Sequence, residues 1–324
     1  MRGGAALAIA TLLASAWIPS VAALYVVWLA LGICMAMLLY EPAFGLVIRA
    51  VADPVRRLRA LATVTVLGGL ASTVCIPAVA WLVQIAGWQR TQIALAVAIL
   101  IGALIMEWQV LPALRECSAA DARHRAESPE LAPRVPILLT AVFAASTFAA
   151  MALGTMLIAA LIGRGHGAGA AANTLALLGV MQLPGRLWVL SGRHAGSVPA
   201  LLAGPLALEA LGLAAIAASS SLVAVGIGVA VFGIGAGWST LARPMVVQAL
   251  YGIGSAGKTN GQIARLQGFA RAAGPFGAAA IYSQFGYEAL FGGLAVSLLL
   301  LTSAVLVSNR RPAPFWLSAA KPHP

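Results

Sequence analysis

Ten long apolar stretches fill this 324-residue chain, separated by short loops alternately rich and poor in arginine. The stretches run at 4–19, 21–49, 59–84, 90–112, 135–162, 169–191, 198–218, 222–249, 259–284 and 287–308. At about 1.5 Å per helical residue, most of them match a bilayer core of roughly 30 Å. A lipid-exposed backbone must satisfy its own hydrogen bonds, so each is expected to be a helix. The period-two alternation of barrel strands is missing. The fold class that follows is all-α: a polytopic membrane protein with about ten transmembrane helices.

Composition points the same way. Hydrophobic residues make up 61% of the chain and charged residues 9%, where a soluble domain carries about 25% charged. The net charge of +11 does not indicate a nucleic-acid partner, because the basic residues are scattered singly between apolar stretches. The expected surroundings are membrane lipid. Three cysteines give no disulfide framework, and four separated histidines (His124, His166, His194, His323) give no metal spacing. No metal or cofactor is expected. Residues Ala5–Ile18 also have the look of a signal peptide, but removing them would leave nine stretches, which conflicts with the charge pattern.

That pattern sets the topology. With a cytoplasmic N-terminus, fifteen lysines and arginines fall on the cytoplasmic side, and only Arg90 and Arg164 outside. Basic loops stay inside, so both termini are expected to be cytoplasmic in a cell inner membrane. Trp17, Trp28, Trp81 and Trp88 then lie near the outer interface. The one long polar stretch, Ala113–Arg134, reads as a cytoplasmic linker between a partial four-span bundle (1–112) and a six-span bundle (135–308), with a cytoplasmic tail at 309–324.

A repeat supports this division. Gly32-Ile33, Tyr40-Glu41-Pro42, Gly69-Leu70-Ala71-Ser72 leading to Pro77, and Gly87-Trp88 recur in order as Gly233-Ile234, Ala242-Arg243-Pro244, Gly268-Phe269-Ala270-Arg271 leading to Pro275, and Gly286-Tyr287. Parallel repeats about an axis along the membrane normal are a recurring transporter plan.

The topology, the central loop and the repeat resemble a bacterial major facilitator superfamily permease. Local markers are Tyr40-Glu41-Pro42-Ala43-Phe44, Arg56-Arg57-Leu58-Arg59, Gly87-Trp88-Gln89-Arg90-Thr91 and Pro184-Gly185-Arg186. The resemblance implies two six-helix halves, of which the first would here lack its first two helices. It implies a monomeric secondary transporter of a small-molecule solute. Two features of the family's drug–proton antiporters are missing. An early arginine is replaced by the run Trp28-Leu29-Ala30-Leu31-Gly32, and Pro77 follows Ile76, not glycine.

Charges inside apolar helices cost about 2.5–3.5 kcal/mol each at the helix centre, which makes them site candidates. Arg271, near the middle of its stretch, is the leading candidate to grip an anionic group, since guanidinium binds carboxylate or phosphate in bidentate fashion. Arg243, Tyr40, Gln182 and Trp238 are the further substrate-binding candidates, with helix packing as the competing role. Glu41 is the candidate proton carrier or gate residue, and the repeat sets it opposite Arg243. A structural ion pair of Glu41 with Arg243 or Arg271 is the alternative. Arg265 belongs with the gate. Arg186 is assigned to the gate or to an interfacial arginine reaching for water. Glu209 stands in its stretch with no obvious partner.

The expected function is secondary transport of a small polar, anionic solute by alternating access, coupled to protons. A transport-inactive truncated permease or partner subunit is the alternative. An intramembrane enzyme ranks lower, because no acid–base or metal cluster gathers at a membrane face, and no P-loop sequence is present.

Overall fold

The structure is a computed structural model and describes residues 2–51, 54–110, 135–190 and 197–309. Every regular element among them is helical. The chain divides into two compact units, residues 1–129 and 130–324. The predicted linker 113–134 lies outside the described residues, as does the predicted tail 309–324 beyond Asn309.

The first unit holds α1 (Arg2–Ser15), α2 (Val21–Leu38), α3 (Tyr40–Ala50) and α4 (Pro54–Ile105), the last running into a π-helical turn at Met106–Val110. Ser20 caps α2, its side chain accepting from the Ala23 N–H at 3.2 Å. The stretch expected as one span, 21–49, is two helices that break at Leu39 (φ −81°, ψ −151°). Pro42 explains the break. In a continuous helix its ring would crowd the Leu38 carbonyl and could donate no hydrogen to it, whereas near the start of α3 no such donor is needed. In α4, Gly87 (φ 78°) turns the chain in a conformation that only glycine adopts freely. There Trp88 Nε1 donates to the Ser15 carbonyl at 2.9 Å, fastening α4 to the end of α1. At the opposite end of α1, Arg2 Nε donates to Glu107 Oε2 at 2.7 Å.

The second unit holds α5 (Ile137–Gly163), α6 (Ala168–Leu190), α7 (Val198–Ala218) and the long helical run α8 (Leu222–Asn309). A straight α8 would place Arg243 and Gln267 about 36 Å apart. Their side chains are hydrogen-bonded, so the run doubles back between them. It turns again at Gly286 (φ 79°). One apolar core joins all four elements, with Phe143, Leu153, Leu202, Phe232 and Phe291 fully buried.

Six described stretches are long and apolar enough to cross a membrane: Val21–Val47, Trp81–Gln109, Ile137–Gly163, Val198–Ala218, Leu222–Tyr251 and Lys258–Asn309. The last has 52 residues, more than twice the roughly 20 that one crossing needs, and Gly286 lies within it. The predicted spans 4–19 and 169–191 are helical as α1 and α6; α1 has 14 residues, and α6 carries the polar side chains Asn173, Gln182 and Arg186. The chain is a multi-pass membrane protein.

Candidate functional site

One group of polar and aromatic side chains in the second unit gathers where α6 and α8 press together. Glycine makes the approach possible. A Cβ on Gly185 would overlap the Ile234 carbonyl oxygen, and one on Gly237 would overlap that of Gln182. A Cβ on Gly233 would stand 2.9 Å from Met181 Cβ. With backbones this close, residues flanking the contact are enclosed.

Arg186 is one of them. It is 4% exposed, and its Nη2 donates to Gln182 Oε1 at 2.7 Å, one helical turn away. It therefore does not reach out to water as an interfacial arginine would. The Gly185 contact holds its segment of α6 against α8. Across that contact Trp238 stacks obliquely on Trp188, with centroids 4.4 Å apart at 58°. Gly204 of α7 makes room for the Trp238 ring: a Cβ there would stand 2.8 Å from its Cζ3. The buried Trp238 Nε1–H has no hydrogen-bond partner among the described residues, which is costly for a donor.

A second polar group lies one turn further along α8. Arg243 is 9% exposed, and its Nη1 donates to Gln267 Oε1 at 2.5 Å. Gln267 Nε2 donates in turn to Thr147 Oγ1 at 3.0 Å and to the Phe143 carbonyl at 3.2 Å. This chain ties two segments of α8 to α5. In each case a glutamine side chain orients the guanidinium.

Of the residues singled out in the sequence, Arg186, Gln182 and Trp238 are thus placed where α6 meets α8, and Arg243 where α8 meets its own returning segment. Arg265 and Arg271 are exposed on α8. The side chains of Tyr40 and Glu41 lie outside the described residues. Gln267, Thr147 and Trp188 join the site, and the sequence offered no signal for them beyond a polar or aromatic residue in an apolar stretch. Glu209, which had no obvious partner in the sequence, accepts from Ser146 Oγ at 2.8 Å. Among the described residues no three His, Cys, Asp or Glu come together as a metal site.

At the other end of the unit, Arg164 Nη1 donates to the Ser219 carbonyl at 2.5 Å. Its guanidinium lies 3.3 Å above the Tyr287 ring and reaches Glu288 at 3.4 Å. Tyr287 Oη donates to the Ile216 carbonyl at 2.6 Å. His166 Nε2 meets the Ser220 carbonyl at 2.9 Å.

Comparison with known proteins places this geometry. The Major Facilitator Superfamily profile matches residues 1–275. No curated protein matches the sequence. Among solved structures, the human organic anion transporter MFSD10 (TETRAN) superimposes with a TM-score of 0.72 at 21% identity, over 93% of this chain and 75% of that one. The proton:xylose symporter XylE, bound to 6-bromo-6-deoxy-D-glucose, superimposes with a TM-score of 0.64 at 12% identity, over 94% of this chain and 78% of that one.

Proposed function

Because the chain belongs to the major facilitator superfamily, and is therefore a secondary transporter and not an enzyme, we propose that its cargo is a small polar anion, moved by alternating access and coupled to protons. The observation that carries this reading is the burial of positive charge in the second unit. Arg186 and Arg243 are 4% and 9% exposed in apolar helices, and each is aimed by a glutamine. A guanidinium held among apolar helices favours a bound carboxylate or phosphate, which it can grip in bidentate fashion. Trp238 adds a buried N–H that lacks an acceptor among the described residues, which suits an oxyanion or a hydroxyl of the cargo. The human neighbour MFSD10 is an organic anion transporter, the same charge class.

In this reading Arg271, exposed on α8, makes first contact with the anion in bidentate fashion. Arg243, Gln182, Trp238 and Tyr40 complete the recognition. Arg265 and Arg186 serve the gate, and Glu41 carries the proton. The protein works as a monomer in the inner membrane with both termini in the cytoplasm.

A thermal-shift screen tests the charge class. Matched sets of small carboxylates, neutral sugars and amines are added to purified protein. A ligand present at a hundredfold excess over its Kd stabilises the folded state by about 2.7 kcal/mol. Stabilisation confined to carboxylates or other oxyanions supports the reading. Stabilisation by sugars or amines alone contradicts it.

A further inference from the structure

Glu209 sits at the centre of the second unit, on α7, with none of its surface exposed. One carboxyl oxygen, Oε1, accepts from Ser146 Oγ of α5 at 2.8 Å. The other, Oε2, is buried and has no hydrogen-bond partner among the described residues. Ser146 Oγ lies 3.3 Å from Ser239 Oγ of α8. A serine hydroxyl has one proton to give. Ser146 gives its proton to Glu209, so Ser239 donates to Ser146, and the two hydroxyls form a directed chain ending on the carboxyl.

Charge around this carboxyl is sparse. Ser146 of α5 bonds it, Ser239 of α8 lies beyond Ser146, and Gly235 of α8 packs beside the Glu209 stem. No other charged residue occurs in α5 or α7. The nearest one along this part of α8 is Arg243, four residues beyond Ser239, whose Nη1 bonds Gln267. Arg186, the charged residue of α6, bonds Gln182. The packing is also tight. A Cβ added to Gly235 would stand 2.7 Å from the Pro205 carbonyl oxygen and 3.0 Å from Glu209 Cγ. An ionised carboxylate with one hydrogen bond is poorly accommodated in so apolar a place. A bound proton removes that charge and needs no added space.

We propose that Glu209 is a proton-binding site inside the second unit, loaded and unloaded through the Ser146–Ser239 hydroxyl chain. The proton comes from water, forms one O–H bond at the carboxyl and removes the charge. On release, the carboxyl hands it back to the chain as each hydroxyl reverses its donor role. Ser239 is only partly buried, so the chain leads from the enclosed carboxyl to a more open position. Occupancy also acts on packing, since the site joins α5, α7 and α8. A role for this proton in the transport cycle rests on the transporter reading above. Proton binding itself does not.

Infrared difference spectroscopy on the purified full-length protein, without cargo, tests the proposal. The wild type is titrated with pH while the carbonyl stretch of a protonated carboxyl is followed. One such band should fade as pH rises within the folded range, and Glu209→Gln should lack it. Ser146→Ala removes the hydrogen bond to Oε1 and should shift both the frequency and the midpoint of the band. That variant keeps the test open if the glutamine variant fails to fold. A wild type with no titrating carboxyl band, or a band that neither variant alters, overturns the proposal. Because no cargo is used, a failure here is separable from a failure of the anion reading.

Discussion

Arg243 and Gln267 lie 24 residues apart in one helical run, yet they share a 2.5 Å hydrogen bond. Gln267 then passes the connection to Thr147 of α5. A single amide therefore holds the returning segment of α8 against both its own first segment and a second helix. Gln267→Leu removes these bonds. A hydrogen bond to a charged group contributes about 1.5–3 kcal/mol, so a loss of that order is expected in thermal unfolding of the detergent-solubilised protein. Gln267→Glu keeps the acceptor for Arg243 and should retain most of the stability. Equal losses for both variants would deny Arg243 a part in the fastening.

The contact of α6 with α8 depends on missing side chains. Gly185→Ala and Gly237→Ala each drive a methyl into a backbone carbonyl of the facing helix. Overpacking of this kind costs about 1–3 kcal/mol or more. Gly179→Ala on the same helix meets open space and should stabilise by up to about 1 kcal/mol through helix propensity. Yield and melting temperature of the three variants check the contrast. A Gly185→Ala protein as stable as the wild type would place the two helices further apart than described here.

Much of the helical plan was legible in the sequence, and particular residues show why. Gly87 and Gly286 stood out as breakers, and both adopt a φ near +78° that punishes any side chain. Pro42 was visible too, but a proline alone does not mark a break: Pro184, Pro205, Pro244 and Pro275 all sit within helices here. Whether a proline breaks a helix or bends it depends on neighbouring packing that a linear sequence does not carry. The same limit hid the partner of Glu209. Ser146 is 63 positions away, and a serine in an apolar helix most often bonds its own backbone. Arg186 gave the opposite signal to its true state. Its position near a helix end suggested escape to water, and only the glycine-lined approach of α8 encloses it.

The cluster around Arg164 separates a shielded interaction from an exposed one. The guanidinium covers the Tyr287 ring and bonds the Ser219 carbonyl, while its partner Glu288 has a side chain 80% exposed. An exposed ion pair contributes about 0–1 kcal/mol. Arg164→Gln is expected to destabilise markedly more than Glu288→Gln. Arg164→Lys should not rescue it, since lysine offers neither the planar stacking nor the fork. Equal effects of the two charge removals would show the ion pair to be the dominant contact.

The arginine asymmetry predicts that position 124 is cytoplasmic and position 166 outside. On a cysteine-free background, single cysteines at these positions are exposed to a membrane-impermeant maleimide in intact cells. Labelling at 166 with protection at 124 is expected. Labelling at 124 alone would invert the topology.

Anion transport by this chain is tested most directly in proteoliposomes. The carboxylate or other oxyanion that best stabilises the purified protein is supplied in radiolabelled form, with and without an imposed proton gradient. The account predicts saturable entry of the anion that the gradient enhances. It predicts loss of entry in Arg271→Gln and loss of the gradient's effect in Glu41→Gln, with both variants folded. Entry that neither substitution changes, or transport of neutral solutes with none of anions, would contradict it.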